Sequence, residues 1–240
     1  MSKEKFEQML AKPVVIGDGA MGTMLYSSGV FVNTCFDELN LRSADLIEDI
    51  HKQYIAAGVD FIETNTFGAN SIKLSQFAMA EKTEEINRQG VAIAKAAREA
   101  TGSEVLIAGP TGCEIADHTP VTPTQAKAVI AEQAMALADA GVDFLIIETF
   151  SNPVELAVAV EGASETGLPI VAQLTVSSAD ELLYGMSLED AVDKIAQNPS
   201  VSVVGLNCSS GPAAMLDSLK GIRHVTDKPI SLQPNAGMPK

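Results

Sequence analysis

Cys208 is the residue with the most reactive side chain near a predicted strand end. It follows an apolar run of strand character, Val201–Leu206, and precedes a turn into a helix at Pro212. A thiol in this place has three interpretations: a small buried hydrophobic side chain, a nucleophile, or a soft metal ligand. A nucleophile needs an adjacent general base, which Asn207 cannot provide. A metal such as zinc suits a thiolate better but requires three or four ligands, so the sequence alone leaves the interpretations open.

Other apolar runs also end in polar residues. Two carboxylates among amides and glycine-turn N–H groups suit a ligand that carries an ammonium and a carboxylate, such as an amino acid. Asp18 and Glu148 can bind the ammonium, and N–H groups around Gly19 and Thr66 can bind the carboxylate. The alternative is that the acids only brace loop N–H groups. The strand ends carry neither lysine nor histidine, which argues against Schiff-base aldolases and histidine-based metal hydrolases; they offer Asp18, Glu63, Asn65, Thr66, Thr111, Glu148, Gln173, Thr175, Asn207, Cys208 and Asn235.

A repeated segment indicates how these side chains are positioned. Residues 57–61 read Ala-Gly-Val-Asp-Phe, residues 140–144 read the same, and each copy continues into Glu-Thr, at Glu63 and Glu148. In each copy a glycine can end a helix and lead directly into a strand with a carboxylate at its end. The repeat indicates βα units and a parallel sheet.

Seven strands are predicted, alternating with helices. A closed (β/α)8 barrel has eight strands, and its working residues follow the strands' carboxyl ends. We therefore expect residues 1–240 to form one TIM-type α/β barrel domain that lacks its eighth βα unit, either as a fragment or with a second copy, another chain or an N-terminal element filling the gap. The strands centre on Val14, Phe61, Val105, Phe144, Ile170, Val203 and Ile230, and the helices cover about 1–12, 43–57, 83–100, 123–140, 153–165, 187–197 and 212–225, with Ser43 and Ser187 as caps.

Composition limits the classes of partner and the compartment. The formal net charge of −15 disfavours nucleic acid and anionic membrane surfaces. Cys35, Cys113 and Cys208 are too few and too widely spaced for a disulfide framework, which favours a reducing compartment. The sequence shows neither a signal-peptide pattern nor an apolar run of membrane-spanning length, so we predict a cytoplasmic protein.

Six short motifs follow one another along the chain: Gly17–Thr23, Glu63–Asn70, Gly109–Gly112, Glu148-Thr149, Gly205–Pro212 and Pro234–Pro239. In this order they resemble the motifs of the homocysteine S-methyltransferase family, and within it the N-terminal homocysteine-binding module of cobalamin-dependent methionine synthases. The resemblance covers essentially the whole chain, and six motifs in the same order are specific.

The resemblance implies that a zinc-bound homocysteine thiolate attacks an activated methyl group to give methionine. Zinc keeps such a thiol deprotonated at neutral pH. On this basis the residues expected to carry the chemistry are Cys208, Glu148 and Asp18. By position, the resemblance assigns Cys208 as a zinc ligand, Asp18 and Glu148 to the substrate's amino group, Gly19 and Thr66 to its carboxylate, and Asn207 and Asn235 to the shaping of the site.

The sequence departs from the family pattern at the metal. The family's other two zinc ligands are adjacent cysteines in a Gly-Gly-Cys-Cys-Gly motif on strand eight, and this sequence stops before such a motif. The zinc site expected from this chain is therefore incomplete. The expected methyl donor is methylcobalamin on another domain or protein, with a sulfonium or betaine donor as the alternative. The rival functions are a non-catalytic barrel that binds an amino acid or docks a corrinoid protein, and another small-molecule barrel enzyme.

Overall fold

The computed structural model describes residues 2–31, 33–112, 122–176, 185–208 and 210–237. Cys113 and the end of the last motif lie outside these ranges. None of the described helices combines the length and apolar character needed to cross a bilayer. The helices are α1 (Ser2–Leu10), α2 (Met21–Ser27), α3 (Leu39–Arg42), α4 (Ala44–Ala56), α5 (Ser71–Ser75), α6 (Thr83–Thr101), α7 (Pro123–Ala140), α8 (Pro153–Ala163), α9 (Leu188–Ala196) and α10 (Pro212–Ile222), and the strands are β1 (Phe61–Glu63), β2 (Leu106–Gly112), β3 (Phe144–Phe150), β4 (Ile170–Leu174), β5 (Val201–Asn207) and β6 (Ile230–Gln233).

The six described strands follow one another in chain order within one sheet, from β1 to β6. β1 pairs with β2, β4 with β5, and β5 with β6, each in parallel. Parallel neighbours connected through helices confirm the predicted α/β class and the order of a (β/α) barrel. The chain forms two compact units: the N-terminal unit comprises residues 1–111 and 132–145, and the C-terminal unit residues 112–131 and 146–240.

The prediction of a first strand around Val14 is wrong for the described chain. Residues 14–16 form no strand, and one isolated parallel bridge joins Gly17 to Phe61. Asp60 holds this segment at Ile16: its N–H donates to the Ile16 carbonyl (2.7 Å), and its carboxylate accepts the Ile16 N–H (2.8 Å). Val14 and Ile16 are 72% and 56% exposed, so little apolar burial stabilises further pairing, and six of the seven predicted strands are present.

The two Ala-Gly-Val-Asp-Phe segments have the same structure. Gly58 and Gly141 end α4 and α7 with φ values of 91° and 88°, a left-handed conformation that glycine adopts without strain. Asp143 then repeats the contact of Asp60: its N–H donates to the Ile107 carbonyl (2.7 Å) and its carboxylate accepts the Ile107 N–H (2.9 Å). Each aspartate therefore clamps its strand to the preceding segment at two points.

A cation completes each aspartate clamp. Lys12 pairs with Asp60 (2.6 Å), and Arg98 pairs with Asp143 (3.3 Å). Arg98 is less exposed than Lys12, with 28% against 54% of its side chain accessible. The second clamp is therefore the better shielded of the two.

Aromatic packing closes the core of the N-terminal unit. The Phe144 ring lies 4.9 Å from the Phe6 ring and 5.3 Å from the Phe61 ring, in tilted and edge-to-face arrangements that aromatic pairs favour. Phe6 is buried, so α1 covers the start of this core as its predicted apolar side requires. β1, which ends at Glu63, begins at Phe61 within this packing.

Helix prediction succeeded where apolar periodicity was long. The seven predicted helices are present, with ends within about three residues of those predicted, a normal uncertainty. The Ser187 hydroxyl accepts the Asp190 N–H (3.1 Å) and confirms that cap. Ser43 precedes α4 but forms no side-chain capping bond, so that capping prediction is wrong. Three short helices, α2, α3 and α5, were not predicted because they span too few turns to show a period.

Candidate functional site

Asn207 is the centre of a polar cluster at the strand ends of the C-terminal unit. It ends β5, is 1% exposed, and its carboxamide nitrogen lies 2.8 Å from Glu148 Oε2 and 2.8 Å from Thr149 Oγ1. The same nitrogen lies 3.5 Å from Cys208 Sγ. Its carboxamide oxygen accepts the Thr149 N–H (3.0 Å) and the Thr175 hydroxyl (3.1 Å). Three predicted site residues, Glu148, Asn207 and Cys208, are therefore brought together.

The hydrogen bonds define the orientation of the Asn207 carboxamide. A backbone N–H can only donate, so the group facing Thr149 N must be the carboxamide oxygen. The nitrogen then faces the Glu148 carboxylate, which as an anion can only accept. Glu148 therefore has a neutral donor beside it, and its charge is stabilised by a fixed dipole.

Cys208 stands at the turn that follows β5. Its φ of 56° lies in the left-handed region, its N–H donates to the Gln233 carbonyl (3.0 Å), and its carbonyl accepts the Ser210 N–H (2.7 Å). The residue is half-buried. Its thiol therefore lies at an accessible strand end, rather than inside the apolar core.

Asn235 follows β6, beside the loop that begins at Cys208. Its N–H donates to the Ser210 carbonyl (2.9 Å), and the residue is exposed. Backbone contacts thus place Asn235 next to the Cys208 turn. Its predicted role in shaping the site stays a prediction.

In the N-terminal unit, Asp18 lies against β1. Its Oδ2 accepts the Glu63 N–H (2.9 Å). Burial, followed by the negative charge of Glu63, raises the pKa of Asp18 well above its ordinary value of 3.8, although the Glu63 N–H bond lowers it. A buried acid with a raised pKa beside a second carboxylate favours either a shared proton or a bound cation.

Gly19 lies directly beside Tyr54. A Cβ at Gly19 would lie 2.9 Å from the Tyr54 hydroxyl oxygen, so a larger residue would displace the ring. The Tyr54 hydroxyl donates to the Ala20 carbonyl (3.3 Å) and so holds the turn that follows Asp18. Gly19 itself is exposed, and its predicted contact with the carboxylate of a ligand stays a prediction.

Thr66 is fully buried, and its groups are engaged within the unit. Its N–H donates to the Thr64 carbonyl (2.8 Å), its hydroxyl lies 2.7 Å from Thr64 Oγ1, and its carbonyl accepts Gln133 Nε2 (2.6 Å). The predicted carboxylate binding therefore has to use N–H groups around Thr66, because its own N–H already has an acceptor. Asn40 and Asn65 extend this buried polar network, with Asn65 Nδ2 donating to Asn40 Oδ1 (3.1 Å).

The described residues do not form a zinc site. Over the ranges given above, no group of three or more histidine, cysteine or acidic side chains could hold a metal ion. Cys35 is buried beside Leu74 and Met79, and burial raises the pKa of its thiol, so it acts as a packing residue as predicted. Of the two described cysteines, Cys208 is the one at a strand end. Its thiolate can supply only one of the four ligands of a tetrahedral zinc ion.

His51 also serves no ligand role within the described structure. It is fully buried on α4, and neither ring nitrogen has a hydrogen-bond partner. Burial lowers its pKa to about 4, so the ring is neutral at physiological pH. This environment is that of a structural core residue.

Sequence reasoning missed the roles of Thr149 and Thr175. Both were visible as polar residues after apolar runs, but no part was assigned to them. Thr149 was also the second residue of the repeated Glu-Thr pair, and that repeat was the signal that could have drawn attention to it. The structure shows that both threonines hold Asn207.

Comparison with known proteins gives two methionine synthases among the relatives of this chain. Methionine synthase from Mycobacterium tuberculosis is 30% identical over 248 residues, which cover 96% of this chain and 21% of that protein. Methionine synthase from Mycobacterium leprae is 30% identical, covering 97% and 21%. The chain thus spans about a fifth of the length of these curated relatives.

A solved structure shares the fold. The metallated form of the homocysteine methyltransferase MmuM from Escherichia coli is 24% identical and superposes with a TM-score of 0.87, covering 97% of this chain and 88% of that one. The profile of the family described as homocysteine S-methyltransferase matches residues 15–240. The chain therefore belongs to the homocysteine S-methyltransferase family.

Proposed function

We propose that this chain transfers a methyl group to the sulfur of homocysteine and forms methionine. The observation that carries the proposal is the Asn207 carboxamide, which joins the Glu148 carboxylate and the Cys208 thiol at adjoining strand ends. A carboxylate can bind the substrate ammonium. A thiol at a strand end can be one ligand of a metal ion that also binds the substrate sulfur. Family membership supports the same reaction.

The reaction has a simple balance. The homocysteine thiol loses its proton, the sulfur lone pair forms a bond to the methyl carbon, and the bond between methyl and donor breaks with its electron pair leaving on the donor. The chain's own residues bind and orient the amino acid for this displacement, which gains rate from proximity and alignment. Glu148 binds the ammonium, and Asn207 holds Glu148 in place.

The N-terminal unit supports further binding roles. Burial and Glu63 raise the pKa of Asp18, so an ammonium placed there would relieve the repulsion between the two acids. We assign Asp18 to the substrate's amino group, and Gly19 and the N–H groups around Thr66 to its carboxylate, as the family resemblance implies. Asn235 is assigned to shaping of the site, on the basis of its place beside the Cys208 turn.

Zinc enters the proposal through Cys208 alone. A bound zinc would supply the Lewis acidity that keeps the homocysteine thiol deprotonated. Cys208 would be one ligand and the substrate sulfur another, and the remaining ligands are not among the described residues. We propose methylcobalamin, carried on another domain or protein, as the methyl donor; the short span relative to methionine synthases supports a separate donor domain. The sparse cysteines support a reducing compartment such as the cytoplasm.

The test is homocysteine binding followed by methyl transfer. Isothermal titration calorimetry of the full chain with L-homocysteine should show one site, and Glu148→Gln should weaken it. Methionine formation from methylcobalamin, with zinc content measured in parallel, then tests catalysis. Absence of homocysteine binding by the parent chain would overturn the proposal.

A second candidate is a barrel that binds an amino acid without catalysis. It is favoured because, among the described residues, Cys208 does not belong to a group of three or more side chains that could hold a metal ion. Calorimetry and turnover, measured together, distinguish the two candidate functions. Binding with turnover supports the methyltransferase, while binding without zinc uptake or turnover, even when purified corrinoid domain is supplied, supports the binding module.

A further inference from the structure

Backbone strain is concentrated around Asn207. Three described residues other than glycine have a positive φ, and two of them, Thr149 (65°) and Cys208 (56°), contact the Asn207 side chain. A β-branched residue is rarely found in this region. Such strain persists only where surrounding contacts over-determine the conformation. The contacts of Thr149 should therefore explain why its conformation is retained.

Thr149 binds both ends of one carboxamide. Its N–H donates to Asn207 Oδ1 (3.0 Å), and its hydroxyl oxygen accepts from Asn207 Nδ2 (2.8 Å). Thr175 adds a second donor to Oδ1 (3.1 Å). The left-handed backbone at Thr149 presents both groups to one carboxamide, and the two hydrogen bonds offset its strain.

This pairing excludes the alternative orientation of the carboxamide. If the group rotated by half a turn, its nitrogen would face the Thr149 N–H, donor against donor. Its oxygen would face the Glu148 carboxylate, acceptor against acceptor. The orientation is thus a choice between two discrete states, and Thr149 disfavours one of them.

We propose that Thr149 is a positioning residue, whose strained backbone and hydroxyl hold the Asn207 carboxamide with its nitrogen directed at Glu148 and at the Cys208 sulfur. The proposal rests on the proposed function only in that Glu148 and Cys208 serve the substrate. The geometric part concerns the side chain of Asn207 and is independent of the reaction.

Two variants separate the roles of Thr149. Thr149→Gly accepts the same φ without strain and removes the hydroxyl, so it should fold at least as well as the parent. Thr149→Ser keeps the hydroxyl. Thr166→Gly is the matched control, because Thr166 is also a half-buried threonine with hydroxyl hydrogen bonds, but it precedes β4 rather than following a strand.

The first readout needs no ligand. Hydrogen exchange of the Asn207 side-chain NH2, followed by nuclear magnetic resonance, should be about tenfold faster in Thr149→Gly, the effect of losing one hydrogen bond. Thr149→Ser and Thr166→Gly should match the parent. Unchanged exchange in Thr149→Gly would overturn the proposal.

The second readout is the affinity for L-homocysteine by calorimetry, together with the melting temperature. Thr149→Gly should lose about tenfold in affinity while its melting temperature stays equal or rises, and Thr149→Ser should restore affinity. A parallel fall of affinity and melting temperature, without rescue by serine, would indicate a merely structural role and overturn the proposal. If the parent fails to bind homocysteine, the proposed function fails, and the exchange readout alone decides the role of Thr149.

Discussion

The two copies of the Ala-Gly-Val-Asp-Phe segment deliver a Glu-Thr pair to a strand end by the same backbone device. Beyond the glutamate the environments differ. Glu63 meets a second carboxylate, that of Asp18, while Glu148 meets the carboxamide of Asn207. The pair of acids at Glu63 favours a bound cation, whereas Glu148 already has a neutral hydrogen-bond donor beside it. A repeated scaffold therefore fixes where an acid stands, and the side chain opposite decides what that acid can do.

The largest expected difference between the copies is in stability. Asp143→Ala leaves the N–H of fully buried Ile107 without its acceptor and Arg98 without its carboxylate partner, so the free energy of unfolding should fall by about 3 kcal/mol. Asp60→Ala exposes the accessible Ile16 N–H to water and should cost about 1 kcal/mol. Urea unfolding measures both.

The matching asparagine variants are the controls for the aspartate clamps. Asp143→Asn and Asp60→Asn each keep an acceptor for the strand N–H and should recover part of the loss. Equal costs for the two alanine variants would remove the distinction between a shielded and an exposed clamp.

The next difference concerns the two glutamates. Glu148→Gln should reduce homocysteine affinity by about 2 kcal/mol, because it removes the negative charge that binds the ammonium. Glu63→Gln should cost only about 0.5 kcal/mol, since it also removes one of the two causes that raise the pKa of Asp18 and so favours the ionised form of that acid. Calorimetry with L-homocysteine compares them, and a larger loss in Glu63→Gln would reverse the assignment of the binding acid.

A pH effect should distinguish the N-terminal unit. Burial raises the pKa of Asp37 from 3.8 to about 6. The hydrogen bond from the Gly68 N–H to the Asp37 carboxylate opposes this rise. Between these values the folded chain holds a proton that the unfolded chain releases, so the Asp37 contribution to stability falls as pH rises from about 4 to 6. Asp37→Asn should therefore match the parent near pH 3.5 and exceed it by about 1 kcal/mol at pH 7.5.

Urea unfolding of both proteins at the two pH values measures this effect of Asp37. His51, whose lowered pKa of about 4 destabilises the fold in acid, is present in both and cancels in the difference. A constant difference between the proteins at both pH values would contradict the assignment of the effect to Asp37.

The smallest difference is at the helix-ending glycines. Gly58→Ala should cost about 1 kcal/mol through its left-handed φ. Gly141→Ala should cost about 0.5 kcal/mol more, because a Cβ there lies 2.6 Å from Lys95 Nζ and disturbs its bond to the Ala140 carbonyl. Thermal unfolding of the two alanine variants measures this difference in stability. Identical losses would show that Lys95 moves aside freely.

The sequence could predict the elements whose signals are local and long. Six strands and seven helices follow from apolar runs, helix periodicity and terminal glycines such as Gly141. Asn207 and Glu148 were also predictable as strand-end residues. Their contact was not, because it joins residues 59 positions apart, and neither was the left-handed backbone of Thr149, which a β-branched residue gives no reason to expect.

The failed first strand shows the opposite limit. Val14–Ile16 has the composition of a strand, but Val14 and Ile16 are 72% and 56% exposed, so packing does not stabilise an extended pairing with β1. Whether an apolar run is buried depends on residues distant in the sequence, and a local pattern does not contain that information.

The direction of the two aspartate clamps bears on synthesis of the chain. Asp60 closes on Ile16, and Asp143 closes on Ile107, so both side chains reach back to a segment made earlier. The ribosome synthesises the residues in that order, and chain elongation is slow compared with the formation of local contacts. Each clamp can therefore lock as it leaves the ribosome, without waiting for later strands, and the nascent chain would build its sheet one unit at a time from the first strand onward.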